Sequence, residues 1–94
     1  MLKKDVLEIL KNKKISYHLK NFILFGSVAN ETNTKKSDVD IAYIEKDNFR
    51  LKFNDYIQLE NELENLFQSK VDLINYKKFN PLIKLNAKKD FIYV

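Results

Sequence analysis

Ninety-four residues with no cysteine, seven Phe and five Tyr describe one domain around one packed core, and they exclude a disulfide scaffold, a thiolate metal site and a disordered chain. No apolar run approaches the roughly 18 residues of a membrane span, and the N-terminus alternates charged with apolar residues, so a cytoplasmic single domain over 1–94 is expected. The formal charge of +4 is unevenly spread: residues 37–65 carry eight acids and three bases, while both flanks are basic, which disfavours a continuous nucleic-acid stripe and suits a cation site beside an anionic substrate.

Leu2, Val6, Ile9 and Leu10 recur at helical spacing, with Lys3, Lys4, Glu8 and Lys11 on the other side, and predict an amphipathic helix. Residues 15–19 either continue it or form a connecting loop. His18 has no second His, Cys or carboxylate motif beside it and reads as a surface or packing residue, outside any site. Phe22-Ile23-Leu24-Phe25 is a strand buried on both faces, which calls for helices on at least one side. It ends at Gly26, the only glycine. Gly26-Ser27 turns the chain where a backbone could approach a phosphate closely, and Ser27 would open a short helix through Val28 and Ala29. By itself such a pair is merely a turn.

Residues 30–37 are polar and read as a loop. Asp38 to Ile44 follows as a strand on which Asp38 and Asp40 share one face and Val39 and Ile41 the other. Two carboxylates at about 4 Å repel by about 4 kcal/mol at an effective dielectric near 20. Such a pair is either an exposed strand face or a cation site. Phe49 to Ser69 predicts a long helix whose apolar stripe holds Phe53, Tyr56, Ile57, Leu63 and Phe67, widened by Leu59 and Leu66. Lys70 to Ile74 is a third strand, with Asp72 opposite in facing to Val71 and Leu73. Should it neighbour the second strand, Asp72 joins Asp38 and Asp40, and three clustered carboxylates are hard to explain without a divalent ion. Asn80-Pro81 starts a last helix through Leu82, Ile83 and Leu85 to about Lys89, and residues 91–94 close the chain as a strand.

Phe25-Gly26-Ser27, ten residues, Asp38-Val39-Asp40 and a later Val71-Asp72-Leu73 resemble the signature of the minimal nucleotidyltransferases, the small branch of the polymerase-beta-like superfamily. The likeness extends over nearly the whole chain. It implies an α/β (α+β) fold, a small mixed β-sheet flanked by helices in the order α-β-β-α-β-α-β. It also implies two-metal phosphoryl transfer, with Gly26 and Ser27 holding the triphosphate, Asp38 and Asp40 binding two Mg²⁺, and Asp72 completing the metal on the nucleophile side. Small proteins of this family are commonly antitoxins paired with a HEPN-type ribonuclease, and some pass AMP from ATP to a tyrosine of that partner, so the resemblance implies an adenylyltransferase with such a partner. Neutralisation by binding alone is the alternative, and transfer to an RNA end a third. After Gly-Ser the chain departs from the family pattern, with Val28 where an aromatic or Arg is usual, Asn30 where a basic residue is usual and Glu31 where a Gly is usual; Lys35 or Lys36 could replace the basic group.

Overall fold

The computed structural model describes residues 2–29, 38–82, 85 and 88–94, and of Ser27 only the backbone. The chain-order elements are α1 (Lys3–Ser16), β1 (Leu19–Phe25), α2 (Gly26–Ala29), β2 (Val39–Glu45), α3 (Phe53–Phe67), β3 (Val71–Asn75) and β4 (Ile92–Tyr93), with 3₁₀ turns at Tyr76–Lys78 and Lys88–Asp90. The expected loop over 30–37, with Asn30, Glu31, Lys35 and Lys36, lies outside the described residues, as does Ile83 of the last expected helix. What is described of that helix begins as its sequence dictates: Asn80 Oδ1 accepts the Leu82 N–H at 2.9 Å, the bond of an N-cap ahead of proline.

The strands form one mixed sheet in the order β3-β2-β1-β4. β1 runs antiparallel to β2 and β4, and β2 runs parallel to β3. Parallel neighbours need a crossover, which α3 supplies. Alternation then sorts the side chains onto two faces. Phe22, Leu24, Val39, Ile41, Tyr43, Val71 and Leu73 meet Val6 and Leu10 of α1 and Leu59, Leu63 and Phe67 of α3 in the main core. On the reverse face Ile23, Phe25 and Ala42 pack with Phe79, joined by Ile44, Ile74, Tyr76 and Phe91. The four-residue apolar run of β1 is thus buried on both faces, and the helices cover one of them.

α1 stops at Ser16, and residues 17–18 turn the chain into β1, His18 taking the left-handed φ of 56°. α3 is shorter than its apolar period predicts and ends at a left-handed Gln68. Its buried line is Leu59, Leu63 and Phe67, whereas Phe53 and Leu66, expected on the core stripe, are 74% and 47% exposed. Phe53 and Ile57 fall about a quarter turn or more around the helix from that line, beyond what a sheet edge can cover. Among the described residues one acid is buried: Glu45 Oε2 accepts the Leu51 N–H at 2.6 Å, and Oε1 lies 4.0 Å from the Arg50 guanidinium. It ties the β2–α3 connection to the end of the sheet remote from Asp40.

Candidate active site

The parallel register of β2 and β3 sets Asp40 directly opposite Asp72, and the antiparallel register of β1 and β2 sets Asp40 opposite Phe25. Paired residues present their side chains on one face. Asp40 therefore stands between the last residue of β1 and the acid of β3, on the reverse face of the sheet. Asp38, two residues earlier, lies just before β2 and is exposed, as is Asp72; Asp40 is half-buried. The condition set for Asp72 is met, since β3 neighbours β2 and pairs Asp72 with Asp40, while Asp38 lies outside the paired register.

Gly26 follows Phe25 with φ +74°, a conformation that side-chain-bearing residues rarely adopt. A methyl group built on it would run into Asp40 Oδ2 and lie 3.1 Å from Asp40 Cγ. Turn and carboxylate are in effect one object: the chain leaves β1 so close to Asp40 that only a hydrogen fits between them. Behind this turn Phe25 is wedged between Phe79 and Phe91, with ring centroids at 5.0 and 5.8 Å. Phe79 had no place in the sequence reading. Its signal was the three-residue spacing from Tyr76 within a Lys-rich stretch, one turn of 3₁₀ helix with its apolar side chains eclipsed.

The electrostatics follow from this packing. Asp40 has its pKa pushed up to about 6, first by burial and then by the charges of Asp72 and Asp38. A carboxylate partly withdrawn from water, with two like charges as neighbours, would be stabilised as an anion by a cation placed among them. Among the described residues no three His, Cys, Asp or Glu side chains are gathered closely enough to hold one ion; the aspartates face one another across the strands without closing a cage. The donor set is nonetheless carboxylate oxygen throughout, which suits hard divalent ions of the Mg²⁺ type rather than zinc. His18 lies elsewhere, its ring 6.3 Å from that of Phe49.

A strand, a glycine turn against the next strand's acid and a further acid from a parallel neighbour form the arrangement that the resemblance to nucleotidyltransferases implies. The chain belongs to the family described as Polymerase beta, Nucleotidyltransferase, whose profile matches residues 4–94. It is 40% identical over 95 residues, 96% of this chain and 95% of the relative, to "Putative protein adenylyltransferase MJ1379" of Methanocaldococcus jannaschii. A solved structure described as a putative minimal nucleotidyltransferase shares the fold, with a TM-score of 0.73, 20% identity and coverage of 98% of this chain and 95% of that one. A complex of a tri-AMPylated Shewanella oneidensis HEPN toxin with its MNT antitoxin gives a TM-score of 0.66 at 21% identity, covering 99% of this chain and 71% of that chain. The mixed sheet with flanking helices is thus the polymerase-beta-like fold that the motifs imply.

Proposed function

We propose that this protein, working as a single domain over 1–94, transfers AMP from ATP to a tyrosine hydroxyl of a HEPN-type toxin and so neutralises it. The observation that carries the reading is the convergence at Asp40: the Gly26 turn abuts it on one side and Asp72 pairs with it on the other. The names of the relatives support the same direction, since they are described as adenylyltransferases and one fold neighbour is bound to an AMPylated toxin.

In this reading the acceptor oxygen attacks the α-phosphorus in line, the bond from that phosphorus to the bridging oxygen breaks, and pyrophosphate leaves. Gly26 admits the phosphate chain close to the backbone, and Ser27 contributes its amide and hydroxyl. Asp72, the exposed acid on β3, takes the proton from the attacking hydroxyl. Asp38, Asp40 and Asp72 would hold two Mg²⁺, which supply neutralisation of charge at the α-phosphorus and activation of the hydroxyl. Asp40 is the innermost acid, where lost hydration makes its electrostatic contribution largest. ATP as donor fits a cytoplasmic setting.

The test is labelled ATP with Mg²⁺ and a HEPN-type toxin as acceptor. Label should enter the toxin, and an Asp38→Asn/Asp40→Asn double variant should lose transfer by at least about a thousandfold. Equal labelling by that variant, or none by the native chain, sinks the enzymatic reading; neutralisation without label would identify an antitoxin acting by binding, and label in nucleic acid an RNA-end transferase.

A further inference from the structure

β3 carries Asp72 and, among the described residues, pairs on one side only, with β2. The Lys70 C=O accepts the Val39 N–H of β2 at 2.9 Å. Backbone groups alternate in direction along a strand, so the next residue, Val71, and Leu73 two further on direct theirs away from β2. That outer rim is held from α3. Glu64 Oε2 accepts the Val71 N–H at 2.9 Å, and the Tyr56 hydroxyl donates to the Leu73 C=O at 2.6 Å. The two bonds fall on the residues immediately before and after Asp72, and Tyr56 and Glu64 stand about two helical turns apart on α3.

α3 does not need these bonds to dock, because Leu59, Leu63 and Phe67 already bury it against the sheet. The rim groups could equally be met by water. A charge-assisted bond on one side and a short phenol bond on the other instead remove the freedom of an edge strand to slide or twist at one residue. We propose that Tyr56 and Glu64 are positioning residues for Asp72, clamping the rim of β3 on either side of it so that its carboxylate stays opposite Asp40. The inference rests on the reading of Asp72 as part of the acidic site. Neither residue touches the reacting atoms; both act through the backbone of β3.

The test uses the full chain with Tyr56→Phe and Glu64→Ala singly, Glu64→Gln as the variant that keeps an acceptor, and Tyr17→Phe as a control that loses a 2.6 Å hydroxyl bond between the turn after α1 and Glu62 of α3. Amide hydrogen exchange without metal, Mn²⁺-induced broadening of the Asp38, Asp40 and Asp72 signals, and the kcat and KM for AMP transfer are followed together. Tyr56→Phe and Glu64→Ala should raise exchange at Asp72 about tenfold, raise the Mn²⁺ concentration for half-broadening of Asp72 about tenfold, and lower kcat about tenfold with KM for ATP within about twofold. Glu64→Gln should recover most of this, and Tyr17→Phe should lose stability without any of it. Variants with native exchange and native Mn²⁺ response at Asp72 overturn the inference while leaving the enzymatic reading intact. A native chain in which Mn²⁺ broadens Asp38 and Asp40 but never Asp72 overturns the role of Asp72 itself, and the clamp with it.

Discussion

Gly26 is glycine for two separable reasons, and a single substitution tests both. Its φ of +74° penalises any side chain, and the space a Cβ would occupy is filled by Asp40 Oδ2. Gly26→Ala should therefore destabilise the fold by about 1–2 kcal/mol in urea unfolding. Because the obstructing atom is a carboxylate oxygen rather than backbone, Asp40 will move, and AMP transfer should fall well beyond what the stability loss explains. Asp40 behaves in the opposite sense. A pKa of about 6 against an ordinary 3.8 means that at neutral pH the folded chain holds this anion unwillingly, at a cost of at most about 3 kcal/mol. Solvent reaches half of the group, and screening reduces the figure to about 1 kcal/mol. In metal-free buffer at pH 7.5, Asp40→Asn should thus unfold at higher urea than the native chain while having no transferase activity. A destabilised Asp40→Asn would show that the carboxylate has a structural partner instead of unfavourable neighbours. Stability sacrificed at a residue is what a site of this kind requires, since the same repulsion that strains the empty protein attracts its cation.

At the level of elements, α1 and α3 are tied at one point besides their shared core. Glu62 Oε1 accepts from Lys13 Nζ at 3.0 Å and from the Tyr17 hydroxyl at 2.6 Å. Burial first, and then the bond to Glu62, push the Tyr17 pKa up to about 12. The Tyr17 bond and then that of Lys13 hold Glu62 below its ordinary value of 4.5. The signs give a plateau. A raised phenol contributes stability that is complete below pH 10 and is lost as pH climbs through about 12. A lowered carboxyl contributes stability that is complete above pH 4.5 and is lost as pH falls through its depressed folded value. The native chain minus Tyr17→Phe, measured by urea unfolding, should therefore differ by about 1 kcal/mol or less across neutral pH, with the difference shrinking above pH 10 and again in acid. A difference that stays level from pH 3 to 11 would mean that the hydroxyl bond does not couple to charge. These helices also show where periodicity is informative. Leu59, Leu63 and Phe67 at four-residue steps give the buried face of α3 directly, but the same rule carries Phe53 and Ile57 along, because a helix pattern records which residues are apolar and not how wide a surface awaits them.

For the molecule as a whole, the period-two alternation of β2 and β3 was enough to set Asp40 on the face opposite Val39 and Ile41, and Asp72 on the face opposite Val71 and Leu73, whereas Asp38, expected on the strand, lies just before it. What it could not supply was strand order. Nothing local to residues 70–74 says that β3 lies beside β2 rather than beside β1, and only the crossover through α3 decides it. The close approach of Gly26 to Asp40 was equally hidden, because it depends on the antiparallel register of β1 and β2 across residues 30–37, a property of pairing and not of either segment. The sheet order has an energetic consequence. β1 and β2 are the inner strands, and Phe22 on β1 is fully enclosed between the sheet and the helices, whereas Phe53, the same residue type at the start of α3, is 74% exposed. A chain of this length has a net stability of roughly 5–14 kcal/mol. Truncation of Phe22 removes a buried ring and leaves a cavity between three elements, for about 3–5 kcal/mol, which consumes much of that margin. Phe53→Ala gives up a stacked contact with Tyr56, ring centroids 6.5 Å apart, and should cost at most about 1 kcal/mol. Side-by-side urea unfolding of the two variants decides the matter. Comparable losses would mean that Phe53 belongs to the core its sequence period suggests, and that α3 closes over it in solution.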